Sequence, residues 1–498
     1  MIISHDLGGK FVCQTAGPSV HFQKYCSRER DIMSQNQPQT RQEHDSIGSV
    51  DVPAEALFGG QTQRAVALYP LQGAATFADY PILLTAMLQI KRAAALTNIL
   101  TGAIARDRGQ AIVDAVDGLS DRSWGAAFPV HAFHGGGGIS FNMNVNEVLA
   151  NLANRDGFGA PLGSYAPVHP NDHVNLNHST SDCLSSACHI AALAAFQPFS
   201  LEIEGLAQDL ERLGAEWAPL RKLSRTCLQD AVDIGFQDYL GGVAVNLRLN
   251  LAQSGTAAEA LRQINLGGNI IGRSIDCDAD FFEQVIGVLN GELAAAGLPA
   301  GLRRTDNLFA ASQAHDRLLN LAATLEQMAR TLIRLAKDLR LMASGPHGGL
   351  GELVLPAVQP GSSAIPGKIN PTIPEFMVQC GMMACGRAAA IRMTQDHGEM
   401  DYNPWEAVVI VNLLDMIAIL ESGVSTLRRN CVQGLRADVA RNTDNATSLL
   451  PSLIRLKQLK GYSYSSQIAG QAAGDLAFVH REVAQAEADL SPQTEHTS

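Results

Sequence analysis

Residues 318–342 read LLNLAATLEQMARTLIRLAKDLRLM, and this stretch decides the fold. Leu318, Leu321, Leu325, Met328, Leu332, Leu335, Leu339 and Met342 alternate steps of three and four without a miss. A 3.5-residue apolar repeat held over about seven turns specifies a long helix packed at a shallow angle on its neighbours, as in a helical bundle. It stops at Ser344-Gly345-Pro346, as a helix terminus should.

Working outward, Pro81 to Ile104 is Ala- and Leu-rich with few breakers and reads as a helix. A loop holding Phe133, His134 and the run Gly135 to Gly138 follows, and then a helix from Asn142 to Ala153. A polar segment, His169 to Asp182, precedes another Ala-rich helix. Leu201, Leu206, Leu210 and Leu213 are assigned to one helical face. Beyond residue 346 a Gly/Pro-rich loop is expected to run to Pro374, with long helices over about 375–396 and 405–428. The fold class expected is mostly α, an elongated central bundle with smaller ends.

The composition of the 498 residues agrees. Apolar residues make up 46%, charged 17% and aromatic only 5%, a balance that favours helix-on-helix packing over β-sandwiches and excludes wholesale disorder. The net charge of −12 argues against nucleic acid or an anionic membrane as the main partner, because neutralising phosphates takes clustered Lys and Arg. Nine cysteines with no C-x-x-C pair make neither a disulfide framework nor a zinc ribbon, so reduced thiols and the cytoplasm are the default. No run reaches the roughly 20 apolar residues of a membrane helix; Ala407 to Leu420 is broken by Asn412 and Asp415. Residues 1–32 lack the order of a secretory signal and read as an irregular extension, with Met33 an alternative start.

Three polar segments carry residues that turns alone do not need. The first runs from His134 through Ser140 to Asn144, the second from His169-Pro-Asn171-Asp172-His173 to His178-Ser179-Thr180-Ser181-Asp182. The third is Gly361-Ser362-Ser363-Ala-Ile-Pro-Gly367-Lys368-Ile-Asn370-Pro371. In the third, hydroxyls between glycines and prolines around one Lys and one Asn give a mobile loop with fixed anchors. Lys and Asn suit a carboxylate that gains charge in a transition state, and a Ser near positive charge can remove a proton. A surface Gly/Pro turn is the bland alternative. The His134-Gly run lacks the G-x-S-x-G elbow of a serine hydrolase, and its glycines miss dinucleotide spacing. The histidines between 131 and 189 show no compact metal-ligand pattern and read as hydrogen-bonding loop residues.

Together these segments resemble the fumarase/aspartase superfamily, specifically its class II fumarase and aspartate ammonia-lyase branch. The resemblance runs from Asp51-Val-Pro-Ala54 to Cys431-Val-Gln-Gly434. It includes Asn142-Met-Asn-Val-Asn-Glu-Val148, His169 to Asn175, Arg225-Thr226-x-Leu-Gln-Asp-Ala231 and Ser344-Gly-Pro-x-x-Gly-Leu350, with the third polar segment resembling the signature loop. It implies a three-domain subunit (41–177, 178–436 and a small 437–498, after an extension over 1–40) and a homotetramer with a twenty-helix core and active sites shared between subunits. It also implies anti elimination across a 2-substituted succinate, giving fumarate. Ser362 would be the base at C3, while Lys368 and Asn370 hold the carboxylate that becomes an aci-dianion. Thr226, Ser140, Ser179, Thr180, Ser181, Cys227 and Ser363 would build the rest of the substrate pocket, with Glu375 behind it. His169, Asn171 and Asp172 match a secondary anion site. No organic cofactor is implied; a divalent cation activates some aspartases of this branch, but no ligand set can be assigned here.

Fumarase-like and aspartase-like features are mixed, and the balance leans modestly to the ammonia-lyase side. Other positions leave both patterns. Ile139 stands where the family has Thr, Ser181 where it has Asn, and Cys227 where it has His or Gln, all around the leaving group. Leu176, His178, Arg273 and His347 also depart, Arg273 adding a cation that would suit an extra substrate carboxylate. These changes fit a modified amine or another leaving group; drift within an ordinary aspartase is the alternative. A non-catalytic family member is a third reading, opposed by the complete signature loop.

Overall fold

The eight residues of the 3.5-residue repeat all lie buried along one helix, Asp316–Met342. The structure, a computed structural model, describes residues 39–70, 73–119 and 124–490. The extension read over residues 1–32 and the alternative start at Met33 lie outside the described residues.

The chain opens with the hairpin β1 (Thr40–Asp45) and β2 (Gly48–Pro53), paired antiparallel. Then come α1 (Gly60–Leu68), α2 (Pro81–Thr101), α3 (Arg106–Gly118) and α4 (Ile139–Leu152). The 37-residue α5 (Thr180–Glu216) leads into a second antiparallel hairpin, β3 (Arg221–Thr226) and β4 (Gln229–Gly235), and α6 (Phe236–Ala260). After α7 (Ala279–Ala295) come α8 (Asp316–Met342), α9 (Thr372–Met393) and α10 (Glu406–Asn430). The chain ends in α11 (Val439–Ala446), α12 (Leu449–Lys460), α13 (Tyr462–Ala472) and α14 (Leu476–Leu490).

Helices α5, α6, α8, α9 and α10 form a closed ring, each packed on two others in the order α9–α10–α5–α6–α8 and back to α9. The apolar stripe of α8 faces inward, burying about 1.5–3 kcal/mol of transfer free energy per Leu or Met before entropy is counted. A separate small core of Leu453, Leu456, Ile468 and Val479 holds α12 to α14 together.

Several expected bounds move, each for a local reason. Helix α2 ends at Thr101 rather than Ile104 because Gly102 turns left-handed at φ 76°. Helix α4 begins at Ile139 rather than Asn142, launched by Gly138 at φ 85°. The loop expected to reach Pro374 ends at Pro371, since Pro374 sits in the first turn of α9, where no backbone N–H partner is lost. Leu201 leaves the face it was assigned. Leu206, Leu210 and Leu213 are buried while Leu201 is exposed, because a five-residue step turns about 140° around a helix.

Helix α5 and residues Glu406–Gly434 are, against the reading of the sequence, long and apolar enough by composition to cross a membrane. Their apolar windows are 67% and 61% buried against the rest of the chain, which is how the central helices of a bundle read.

Candidate functional site

The glycine run is a backbone device. Gly136, Gly137 and Gly138 all hold positive φ, and a Cβ on Gly138 would meet Leu184 at 2.1 Å. The turn therefore presses onto α5 and delivers Ser140 to the first turn of α4. Tyr402 donates to the Gly137 carbonyl at 3.1 Å and pins the turn from the α10 side. The start of α5 faces it. Asp182 accepts from the Ser179 backbone N–H at 2.8 Å and from Gly267 and Asn269 at 3.0 and 2.9 Å. Burial pushes the Asp182 carboxyl up to about 6, against the pull of those three donors. Thr180 accepts from Asn142 Nδ2 at 2.9 Å, and Ser181 donates to the Asn269 carbonyl at 2.8 Å.

His169 caps the turn Pro170–Val174, its Nδ1 accepting from the Asn171 and Asp172 amides at 3.2 Å each. Two donors on Nδ1 put the ring hydrogen on Nε2. Asp172 approaches the same ring at 3.4 Å. His169, Asn171, Ile139 and Ser140 share one cleft of about 570 Å³ with Arg64 and Tyr69. Glu147, missed by the sequence reading, closes the wall of this cleft. It accepts from the Gly59, Gln61 and Thr62 amides, so an internal carboxylate stabilises the positive end of α1.

Thr226 and Cys227 lie elsewhere, at the tip of the β3–β4 hairpin. Cys227 and Leu228 both hold left-handed φ, 53° and 61°, a two-residue hairpin turn built without glycine. Its base is anchored by Arg225, which donates to fully buried Glu352 at 2.7 Å. Asn445 of α11 donates to the same carboxylate at 3.2 Å.

The signature loop is closed at its neck, where Gly361 N–H donates to the Lys368 carbonyl at 2.9 Å and Asn370 Nδ2 to the Gly361 carbonyl at 2.6 Å. A Cβ on Gly361 would meet the Lys368 carbonyl oxygen at 2.5 Å, so only glycine fits this neck. Within the loop Ser362 Oγ accepts from the Ala364 and Ile365 amides at 3.1 and 2.9 Å. Ser362 and Lys368 line a cleft of about 400 Å³, with Ser363 exposed in the same loop. Glu375, on the first turn of α9, accepts from Arg340 at 3.1 Å.

Within one chain, then, Ser140, His169 and Asn171 come together, and Ser179 to Ser181 sit beside the same glycine turn. The Ser362–Lys368 loop lines a different cleft, and the Thr226–Cys227 tip lines neither of the two. Arg273 is exposed and lies 3.7 Å from Asp276; His347 is exposed on the turn after α8. Among the described residues no group of three or more His, Cys, Asp or Glu side chains is placed to hold a metal ion. Sequence reasoning missed Lys91, whose buried amino group meets Asn175 and His178. A lone Lys in the Ala- and Leu-rich run of α2 was the available signal.

A family model described as lyase matches residues 48–387. An aspartate ammonia-lyase of Bacillus sp is 32% identical over 433 residues, 87% of this chain and 90% of that protein. A class II fumarate hydratase of Parasynechococcus marenigrum (strain WH8102) is 35% identical over 443 residues, 87% and 92% of the two chains. Among solved structures, a fumarate lyase:delta crystallin from Brucella melitensis bound to cobalt superposes with a TM-score of 0.83 at 33% identity, covering 91% of this chain and 100% of that one. A class II fumarase from Schistosoma mansoni gives 0.85 at 27% identity, covering 90% and 96%.

Proposed function

The chain belongs to the lyase family that holds aspartate ammonia-lyases and class II fumarate hydratases, and from that membership we propose that it catalyses reversible anti β-elimination from a 2-substituted succinate to fumarate. L-Aspartate, losing ammonia, is the substrate we favour. L-Malate, losing water, is the second reading, because relatives of both names match the chain about equally. A modified amino succinate is the third, on the altered side chains at Ile139, Ser181 and Cys227.

The observation that carries the proposal is the pair of backbone N–H groups on Ser362 Oγ. A serine hydroxyl is a poor base, and donors that stabilise its alkoxide lower the cost of ionising it. The Ser362 alkoxide takes the C3 proton, and the C3–H electron pair enters the neighbouring carboxylate as an aci-dianion. Lys368 and Asn370 stabilise that dianion. The pair then returns to form the C2–C3 double bond as the C2–N bond breaks and ammonia leaves, taking up the proton held by Ser362. Ser363, Thr226 and Cys227 contact substrate in this scheme, as do Ser140 and Ser179 to Ser181. Glu375 stands behind the site, and His169, Asn171 and Asp172 form a secondary anion site.

The substrate pocket assembles only between subunits in this reading. The five-helix ring is one quarter of a twenty-helix tetramer core. Val245 and Leu249 of α6, Leu341 of α8, and Met382, Met383 and Met393 of α9 are exposed apolar residues available to its interfaces. The working division is 41–177, 178–436 and 437–498. The reaction needs no organic cofactor, and the seven described cysteines, all unpaired, favour the cytoplasm.

The test is absorbance near 240 nm, where the conjugated double bond of fumarate absorbs, with L-aspartate, L-malate and an N-substituted aspartate offered in turn. Rapid signal from one of the three identifies the leaving group. Silence from all three, with no fumarate binding, overturns the proposal.

A further inference from the structure

Lys91 is fully buried on α2, and its amino group meets two acceptors: Asn175 Oδ1 at 2.9 Å and His178 Nε2 at 2.8 Å. The remaining contacts of each acceptor fix its role. His178 Nδ1 lies 2.9 Å from the Leu176 carbonyl, which can only accept, so Nδ1 carries the ring hydrogen and Nε2 offers its lone pair. Asn175 Nδ2 donates to the His178 carbonyl at 2.9 Å, which turns Oδ1 toward Lys91. Each of the two acceptors therefore takes a hydrogen from the Lys91 amino group, whose pKa burial pushes down. The Cys183 thiol donates to Asn142 Oδ1 at 3.4 Å.

The order that begins at Lys91 continues outward. Asn175 Oδ1 also accepts from Asn142 Nδ2 at 3.1 Å, which fixes the Asn142 amide with its NH2 group on that side. The same NH2 donates to Thr180 Oγ1 at 2.9 Å. Thr180 is thereby an acceptor on its inner side, and its own hydrogen has no acceptor among the described residues. The side chain is half-buried at the start of α5, beside the glycine turn: a Cβ on Gly138 would lie 3.6 Å from Thr180 Cγ2.

We propose that Lys91 is a positioning residue of the substrate pocket: through Asn175 and Asn142 its buried amino group leaves the Thr180 hydroxyl hydrogen free to donate to a substrate carboxylate. Lys91 and Asn142 both donate to Asn175 Oδ1, so Lys91 acts by orienting the amides, while the hydrogen bond that Thr180 Oγ1 accepts from Asn142 polarises its hydroxyl. That free hydrogen suits a carboxylate and disfavours an ammonium group at that spot. The inference rests on the dicarboxylate reading above.

Fumarate, the product common to every version of that reading, is the probe. Its affinity would be measured by calorimetry on the intact assembly for the parent, T180V, N142L, K91M and the doubles T180V/N142L and T180V/K91M. Circular dichroism and particle mass confirm that each variant is folded and assembled. We expect each single variant to weaken fumarate by at least about tenfold, the effect of losing a hydrogen bond to a charged group. Each double should fall within about twofold of T180V alone, the spread allowed for non-additive partners. N142L carries the test if K91M does not fold. Full affinity in N142L, or losses that multiply in the doubles, overturns the relay while leaving the function intact. A parent protein that does not bind fumarate overturns the dicarboxylate reading, and the relay falls with it.

Discussion

The Ile365 backbone amide donates to Ser362 Oγ at 2.9 Å, and the Ala364 amide joins it at 3.1 Å, so the one hydroxyl in the loop suited to act as base is held as an acceptor. The closed neck between Gly361 and Lys368, joined by the Asn370 side chain, holds this arrangement without the Ser362 hydroxyl. Replacing the serine leaves that neck intact.

Ser362→Ala should therefore cost activity without costing the fold. Removing a positioned general base lowers kcat by about 10²–10⁴. Fumarate formation followed near 240 nm measures the loss, and thermal unfolding should stay within about a degree of the parent, since surface changes away from packing move stability little. An S362A variant with more than about a tenth of parental kcat would remove Ser362 from the chemistry.

The Arg225–Glu352 pair offers a test of how the hairpin tip is held. Glu352 is fully buried and carries Arg225 and Asn445 on the same oxygen. Truncating one partner of a buried pair leaves the other charge uncompensated, at about 3–5 kcal/mol. E352A should unfold at clearly lower denaturant concentration and raise KM, because Thr226 loses its anchor. E352Q, which still accepts from Arg225, should be milder on both counts. Equal effects from the two variants would assign the loss to the missing charge rather than to packing or the hydrogen bond, because glutamine keeps both the shape and the acceptor.

Acid sensitivity should carry a contribution from His189. Burial pushes its imidazole down to about 4, while Nδ1 faces the Leu261 and Gln263 carbonyls at 3.0 Å. The folded protein keeps the ring neutral where the unfolded chain, with an ordinary pKa of about 6.5, takes up a proton. The stability tied to this group is complete above pH 6.5 and drains away as pH falls toward 4. Asp182, raised to about 6, works in the opposite sense over part of that range, so the comparison must be between variants. H189Q should lose about 3 kcal/mol less than the parent between pH 7 and 4 in denaturant titrations. Parallel stability curves would count against a neutral buried imidazole.

The bundle was legible because an unbroken 3.5-residue repeat leaves α8 no other way to bury its apolar side chains. The loop over 361–371 was legible because Gly361, Pro366, Gly367 and Pro371 interrupt any regular element. Lys91 was not legible: its meaning lies in contacts with Asn175 and His178, 84 and 87 positions away along the chain. The start of α9 was misplaced because Pro374 reads as a breaker until the helix start is known to lie two residues before it. The separation of Ser140, Thr226 and Ser362 within one chain follows from the path of the backbone between bundle ends, which no local pattern encodes.

In the proposed reaction, leaving-group choice is where the sequence departs most from the family, at Ile139, Ser181 and Cys227. Ile139 opens α4 on the cleft that holds Ser140, and Cys227 projects from an exposed tip in left-handed backbone. An apolar side chain and a thiol replace groups that hydrogen-bond strongly, and each bond lost to a polar leaving group costs about 1–3 kcal/mol. Restoring the donors should shift specificity in a set direction. I139T/C227H is expected to raise kcat/KM for L-aspartate or L-malate by at least about tenfold, and to lower it for an N-substituted aspartate. The bulkier substrate gains nothing from a hydroxyl where its apolar substituent sits, so the two changes should move together. Fumarate release from each substrate, compared between parent and variant, gives the ratio. If the parent already turns over plain aspartate or malate rapidly and the double variant leaves the ratio unchanged, Ile139 and Cys227 are tolerated variation and another wall of the pocket chooses the leaving group.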